Sequence, residues 1–202
     1  MTGLTERVSI ARYKYFLRNH MKQALLALPT AERRRSARRL AARLSRLPIF
    51  QRARVVGATL SLPHEMDSGP LLSLCRRANK TVVIPVVNPT RWTLRFARLN
   101  RGDLVRNVYG ILEPAPGRRR FVAAPRLDLL LIPGRAFTPE GDRLGTGGGY
   151  YDRFCRKHPR IATLGVAYDE QILSQLPRSP VDRRLDAVLT PSRLYQRCNK
   201  SF

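Results

Sequence analysis

The segment that most limits what this chain can fold into is 127–153. An apolar run, Leu127–Pro133, interrupted only by Asp128, passes through a turn into Arg143-Leu-Gly-Thr-Gly-Gly-Gly-Tyr-Tyr-Asp-Arg153. The run has the length and composition of a buried central strand. Glycines at 145, 147, 148 and 149 leave a loop almost bare of side chains, and Tyr150, Tyr151 and Asp152 open a helix. A loop of this kind exposes backbone N–H groups beside the positive end of a helix dipole, the layout of an anion cradle. A plain turn would need fewer glycines, because each one weakens the strand or helix beside it. The loop is neither the G-x-G-x-x-G nor the Gly-Lys-Ser/Thr phosphate motif.

The rest of the chain alternates around that unit. Residues 8–28 predict an amphipathic helix with Tyr13, Phe16, Leu17, Met21, Ala24, Leu25 and Leu28 inward; Lys14, Arg18 and Lys22 share another face. Pro29 ends it, Thr30 caps a second helix with Leu40, Leu44 and Leu47 as its stripe, and Pro48 closes that one. Strands are expected at Val55–Leu62, Thr81–Val87, Leu127–Pro133, Ile161–Ala167 and Ala187–Thr190, with an exposed or edge strand at Trp92–Leu99. Helices are expected at Ser68–Ala78, 149–157 and 169–175, and 100–126 reads as loop. The sum is an α/β, Rossmann-like domain over residues 1–202, a mainly parallel (mixed) sheet flanked by helices, with ligands at the carboxyl ends of its strands.

Composition narrows the function. A chain of 202 residues that is 43% hydrophobic can bury a real core. No apolar run reaches membrane-spanning length and no signal pattern opens the chain, so a cytoplasmic location is expected. Cys75, Cys155 and Cys198 are odd in number and far apart, which excludes a disulfide framework. The net charge of +24 attracts polyanions, but its arginines are scattered and only Arg33–Arg46 and Arg118–Arg120 cluster. That dispersal argues for a solvated surface and against a specific nucleic-acid partner; a basic nucleic-acid-binding α/β protein is the rival reading. A phosphosugar or CoA-ester enzyme is a second rival.

Three carboxylates stand out in so basic a chain. Glu65 follows Leu60-Ser-Leu-Pro-His just past the first strand, Asp152 adjoins the glycine loop, and Asp186 precedes the last strand. Carboxylates beside a triphosphate commonly hold Mg²⁺. Asp152 equally suits a helix-dipole partner, and Asp186 a salt bridge to Arg183 or Arg184. His20, His64 and His158 lack metal-ligand spacing, and no Gly-x-Ser-x-Gly is present.

Taken together, several segments resemble one enzyme family. They are Lys14-x-x-Leu-Arg18-x-x-x-Lys22, Leu60-Ser-Leu-Pro-His-Glu65, Leu127-Asp-Leu-Leu-Leu-Ile-Pro-Gly-Arg-Ala-Phe137, Gly141-Asp-Arg-Leu-Gly-Thr-Gly-Gly-Gly-Tyr-Tyr-Asp152, Leu164-Gly-Val-Ala-Tyr168 and Leu185-Asp-Ala-Val-Leu-Thr190. The pattern is similar to that of the 5-formyltetrahydrofolate cyclo-ligases. The resemblance implies ATP-dependent cyclisation of 5-formyltetrahydrofolate, including polyglutamylated forms, to 5,10-methenyltetrahydrofolate with Mg²⁺; a monomer is expected. It implies that Lys14, Arg18 and the stretch Arg143, Leu144, Gly145, Thr146, Gly147, Gly148, Gly149, Tyr150 and Tyr151 bind ATP. Leu60, Glu65, Thr146 and Tyr150 would meet the folate, Tyr151 and Asp152 would act in catalysis, and Asp152 and Asp186 would hold the metal. Some members carry basic loop residues where this chain has Thr146 and Gly148, which shifts phosphate neutralisation onto Lys14, Arg18 and Arg143.

Overall fold

The computed structural model describes residues 2–100, 102 and 104–197, with side chains from residue 9 onward. Helices α1 (Thr2–Ala27), α2 (Thr30–Leu44) and α3 (Pro48–Arg52) precede β1 (Val55–Gly57). Helix α4 (Gly69–Arg77) leads to β2 (Thr81–Asn88) and β3 (Thr93–Arg98), followed by the short strands β4 (Leu104–Arg106), β5 (Leu112–Pro114) and β6 (Phe121–Val122). Then come β7 (Leu129–Ile132), a hairpin of β8 (Ala136–Phe137) and β9 (Arg143–Leu144), helix α5 (Tyr150–Lys157), β10 (Ala162–Val166), β11 (Ala187–Leu189) and β12 (Leu194–Gln196).

The main sheet is ordered β12-β11-β10-β7-β1-β2-β3-β6. Strands β2, β1, β7, β10 and β11 are parallel neighbours, while β3, β6 and β12 add antiparallel margins. Alternation within the apolar runs feeds two cores. Leu129, Leu131, Leu164, Val166, Ala187 and Leu189 face Leu25 of α1, Leu40 and Leu44 of α2, and Leu71 of α4. Leu130, Ile132, Val83, Phe96 and Val188 face Phe154 and Cys155 of α5. Both faces are covered, which is why these runs show no polar alternation.

In chain order the parallel strands lie second, first, third, fourth, fifth across the sheet, so the winding reverses between β1 and β7. A crevice opens at the carboxyl ends of strands at such a reversal. The Leu60–Glu65 segment leaves β1 there, and Gly134 and Arg135 leave β7 there.

Several boundaries differ from expectation. Thr30 is the first residue of α2, after Pro29, and makes no side-chain cap; Pro48 opens α3, where its missing N–H costs nothing. The first strand ends at Gly57, and 169–175 contains only one 3₁₀ turn, Asp169–Gln171. The expected loop 100–126 holds β4, β5 and β6, and β6 covers β3, so Trp92–Leu99 is not an edge. On α1, Met21 and Leu25 are buried, but Tyr13, Phe16 and Ala24 are exposed. Cys75 and Cys155 are free thiols, and Cys198 lies outside the described residues. No helix among the described residues is long and apolar enough to cross a membrane.

Candidate functional site

The glycine loop hangs between the β8–β9 hairpin and α5 at the crevice. Gly147 has φ of 114° and Gly149, the residue before α5, has φ of 62°, both in the left-handed region that side chains resist. No side chain caps α5, so its first N–H groups stay available to a ligand. The loop flank is basic. Arg18 on α1 donates from Nε to Gly145 O at 2.9 Å, which shows that α1 packs against the loop. Lys14, one turn earlier, is ion-paired with Asp182, whereas Lys22 remains in solvent.

Arg143 is the centre of the site. Its Nη2 meets Asp152 Oδ2 at 2.9 Å, and its guanidinium lies 5.6 Å from the Tyr151 ring centroid. Asp152 Oδ1 accepts the Arg183 N–H at 3.1 Å, so both carboxylate oxygens have protein donors. Glu65 is 7% exposed and accepts the Leu62 N–H at 3.0 Å. Burial raises its carboxyl pKa, with the Leu62 bond and the Arg143 charge opposing. Burial likewise pushes the Tyr151 phenol well above its usual range, with Arg143 opposing and Glu65 adding. These mutual influences place Glu65, Arg143 and Tyr151 in one electrostatic neighbourhood.

Arg135, which the sequence reading passed over, completes it. Burial lowers its pKa first, and the Arg18 charge lowers it further. Arg135 Nη1, Arg143 Nε and Tyr151 OH are buried without any hydrogen-bond partner. Unpaired buried donors are costly, so three at one crevice are the mark of a ligand's place. The signal for Arg135 was its position directly after the central strand, the same rule that drew attention to Glu65.

Other expected residues take different places. Leu144 is 2% exposed and packs with Met21 and Ala136, so only its backbone borders the loop. Thr146 is exposed at the loop tip. Leu60 lines a groove of about 350 Å³ with Arg33, Arg106 and Leu112. Tyr150 shares a hydrogen bond of 2.8 Å with the Tyr109 hydroxyl and stacks at 6.0 Å on Trp92, two partners that sequence spacing could not reveal.

Asp152 and Asp186, the two carboxylates expected to hold the metal, each accept hydrogen bonds from the protein. Asp186 directly precedes β11, and its Oδ2 accepts the Thr163 N–H and hydroxyl, both at 2.9 Å. Asp152 is committed to Arg143 and Arg183. Among the described residues no group of three or more His, Cys, Asp or Glu side chains could hold a metal ion. Asp152 and Asp186 could take Mg²⁺ only by giving up some of these protein donors.

Comparison with known proteins agrees with the geometry. The model of the 5-formyltetrahydrofolate cyclo-ligase family matches residues 11–191. The Escherichia coli K12 protein named 5-formyltetrahydrofolate cyclo-ligase is 34% identical over 180 residues, covering 87% of this chain and 99% of that one. A Mus musculus protein of the same name is 28% identical over 193 residues, covering 90% and 95%. The Aquifex aeolicus 5,10-methenyltetrahydrofolate synthetase structure superposes with a TM-score of 0.79 at 29% identity, covering 94% of this chain and 95% of that chain. With a family match across nearly its whole length, the chain belongs to the 5-formyltetrahydrofolate cyclo-ligase family.

Proposed function

We propose that this protein converts 5-formyltetrahydrofolate to 5,10-methenyltetrahydrofolate with consumption of ATP, releasing ADP and phosphate. The observation that carries this reading is the set of unpartnered donors on Arg135, Arg143 and Tyr151 at the crevice between the glycine loop and Glu65. The loop amides and α5 receive the polyphosphate, with Arg18 and Lys14 along the α1 wall. Glu65, with Leu60, Thr146 and Tyr150, meets the folate.

In the reaction the formyl oxygen attacks the γ-phosphorus and ADP departs. N10 then closes on the activated carbon, loses its proton, and the phosphate leaves with the former formyl oxygen. The protein's share is placement and charge neutralisation, which phosphoryl transfer chiefly needs. Asp152 holds Arg143 at the phosphate side, and Tyr151 OH supplies a donor in a water-poor pocket. Magnesium, if it accompanies ATP, is carried by phosphate oxygens and water, and no step is assigned to Asp152 or Asp186 as its ligand.

The test is direct. Mixing the protein with 5-formyltetrahydrofolate, ATP and Mg²⁺ is expected to produce the absorbance of the methenyl product. Folded protein that yields none under saturating substrates would reject the reading.

A further inference from the structure

Behind the glycine loop lies a second concavity that shares Tyr150 alone with the residues assigned to the reaction. It is a groove of about 700 Å³ between α5 and the β3–β6 margin of the sheet, well within the range of small-ligand sites. Its mouth is Trp92, the only tryptophan in the chain, 55% exposed and stacked on Tyr150 at 6.0 Å with an interplanar angle of 17°. Trp92 holds φ at 51°, a conformation that a bulky side chain adopts only when its surroundings enforce it. The exposed cations Arg91, Arg95 and Lys157 line the same groove, and among the described residues no carboxylate does.

Aromatic platforms flanked by unneutralised cations suit a flat ring that carries an anionic tail. We propose that this groove binds a purine nucleoside phosphate at a site separate from the glycine loop, the base on Trp92 and the phosphate among Arg91, Arg95 and Lys157. The concave shape fits a single nucleotide and not a continuous strand.

Arg153 links this groove to the loop. Its Nε donates to Trp92 O at 3.0 Å and its Nη2 to Gly148 O at 2.6 Å, while its guanidinium lies 5.6 Å and 5.2 Å from the Trp92 and Tyr150 ring centroids. A ligand that shifts Trp92 therefore pulls on the glycine loop through one side chain. Only this coupling to turnover rests on the cyclo-ligase reading; binding does not.

The lone tryptophan is a built-in reporter. AMP titrated into the whole protein should change Trp92 fluorescence saturably, with adenosine or pyrophosphate alone binding at least tenfold more weakly. An Arg91→Glu/Lys157→Glu variant should raise the AMP Kd tenfold or more and leave turnover without AMP within twofold. Arg18→Ala, which cripples the loop site, should keep the fluorescence response. The proposal falls if AMP up to millimolar concentration leaves the fluorescence unchanged. It also falls if Arg18→Ala abolishes the response while the groove variant keeps it, for then Trp92 reports nucleotide on the loop. A protein that makes no methenyl product but still shows the groove-dependent response would overturn the activity alone.

Discussion

At the scale of single residues, Arg143 and Glu65 make opposite demands on the same pocket. Arg143 is ion-paired with Asp152, their side chains only 6% and 17% exposed. A hydrogen bond to a charged partner at that depth is worth about 2 kcal/mol, and losing it in the transition state slows turnover roughly 30-fold. Asp152→Asn should therefore lower kcat/KM by about that factor, while the Mg²⁺ concentration for half-activation stays unchanged. A large rise in that concentration would restore Asp152 as a metal ligand. Glu65 carries the converse signature. Its folded pKa lies above the ordinary 4.5, so its stability contribution is complete below that pH and declines as pH rises through the folded value. Thermal melts of wild type and Glu65→Gln should diverge accordingly: wild type loses ground to the variant as pH increases from about 4.5 upward. Parallel curves would mean that Glu65 ionises in the folded protein as freely as in the unfolded one.

At the scale of elements, the glycine loop shows what local sequence can and cannot declare. The strand, the bare loop and the helix were legible because period, length and glycine content all act within a few residues. Their neighbours were not. The hairpin β8–β9 consists of two-residue strands, too short to show alternation, and β6 pairs with β3 only because the fold returns there. Tyr13 and Phe16 fit the helical period of α1 yet lie outside, since periodicity gives a face without giving its partner. The metal expectation rested on proximity to motifs, which does not reveal that Asp186 accepts two hydrogen bonds from Thr163 in the folded chain. What the loop does require is testable at Gly149. With φ at 62°, alanine there should cost about 1–2 kcal/mol of unfolding free energy, and asparagine less, because Asn tolerates left-handed backbone. Urea unfolding measures the difference, and Gly149→Ala should also raise the KM for ATP. Equal stability of the two variants would show that the loop relaxes to another conformation.

At the scale of the whole molecule, the unresolved quantity is the charge of +24. Few of the cations belong to the crevice; many stand on α2, where Arg34, Arg35, Arg38 and Arg39 are exposed and Glu32 is the one carboxylate. Charges this far apart add nothing to fold specificity, but together they raise the potential felt by an approaching polyanion. The crevice supplies the short-range part of phosphate binding, through Arg18, Arg135 and Arg143, and salt weakens that less because the groups are partly buried. The long-range part is screened within about 8 Å at physiological ionic strength. Apparent kcat/KM for ATP should thus fall as salt rises, while kcat under saturation holds nearly constant. Arg38→Glu/Arg39→Glu, two exposed reversals on the solvent side of α2, should flatten that salt dependence and lower the low-salt kcat/KM a few-fold with no change in kcat. If the reversals leave the salt profile of wild type intact, the surface field has no share in nucleotide capture and the crevice arginines alone account for it.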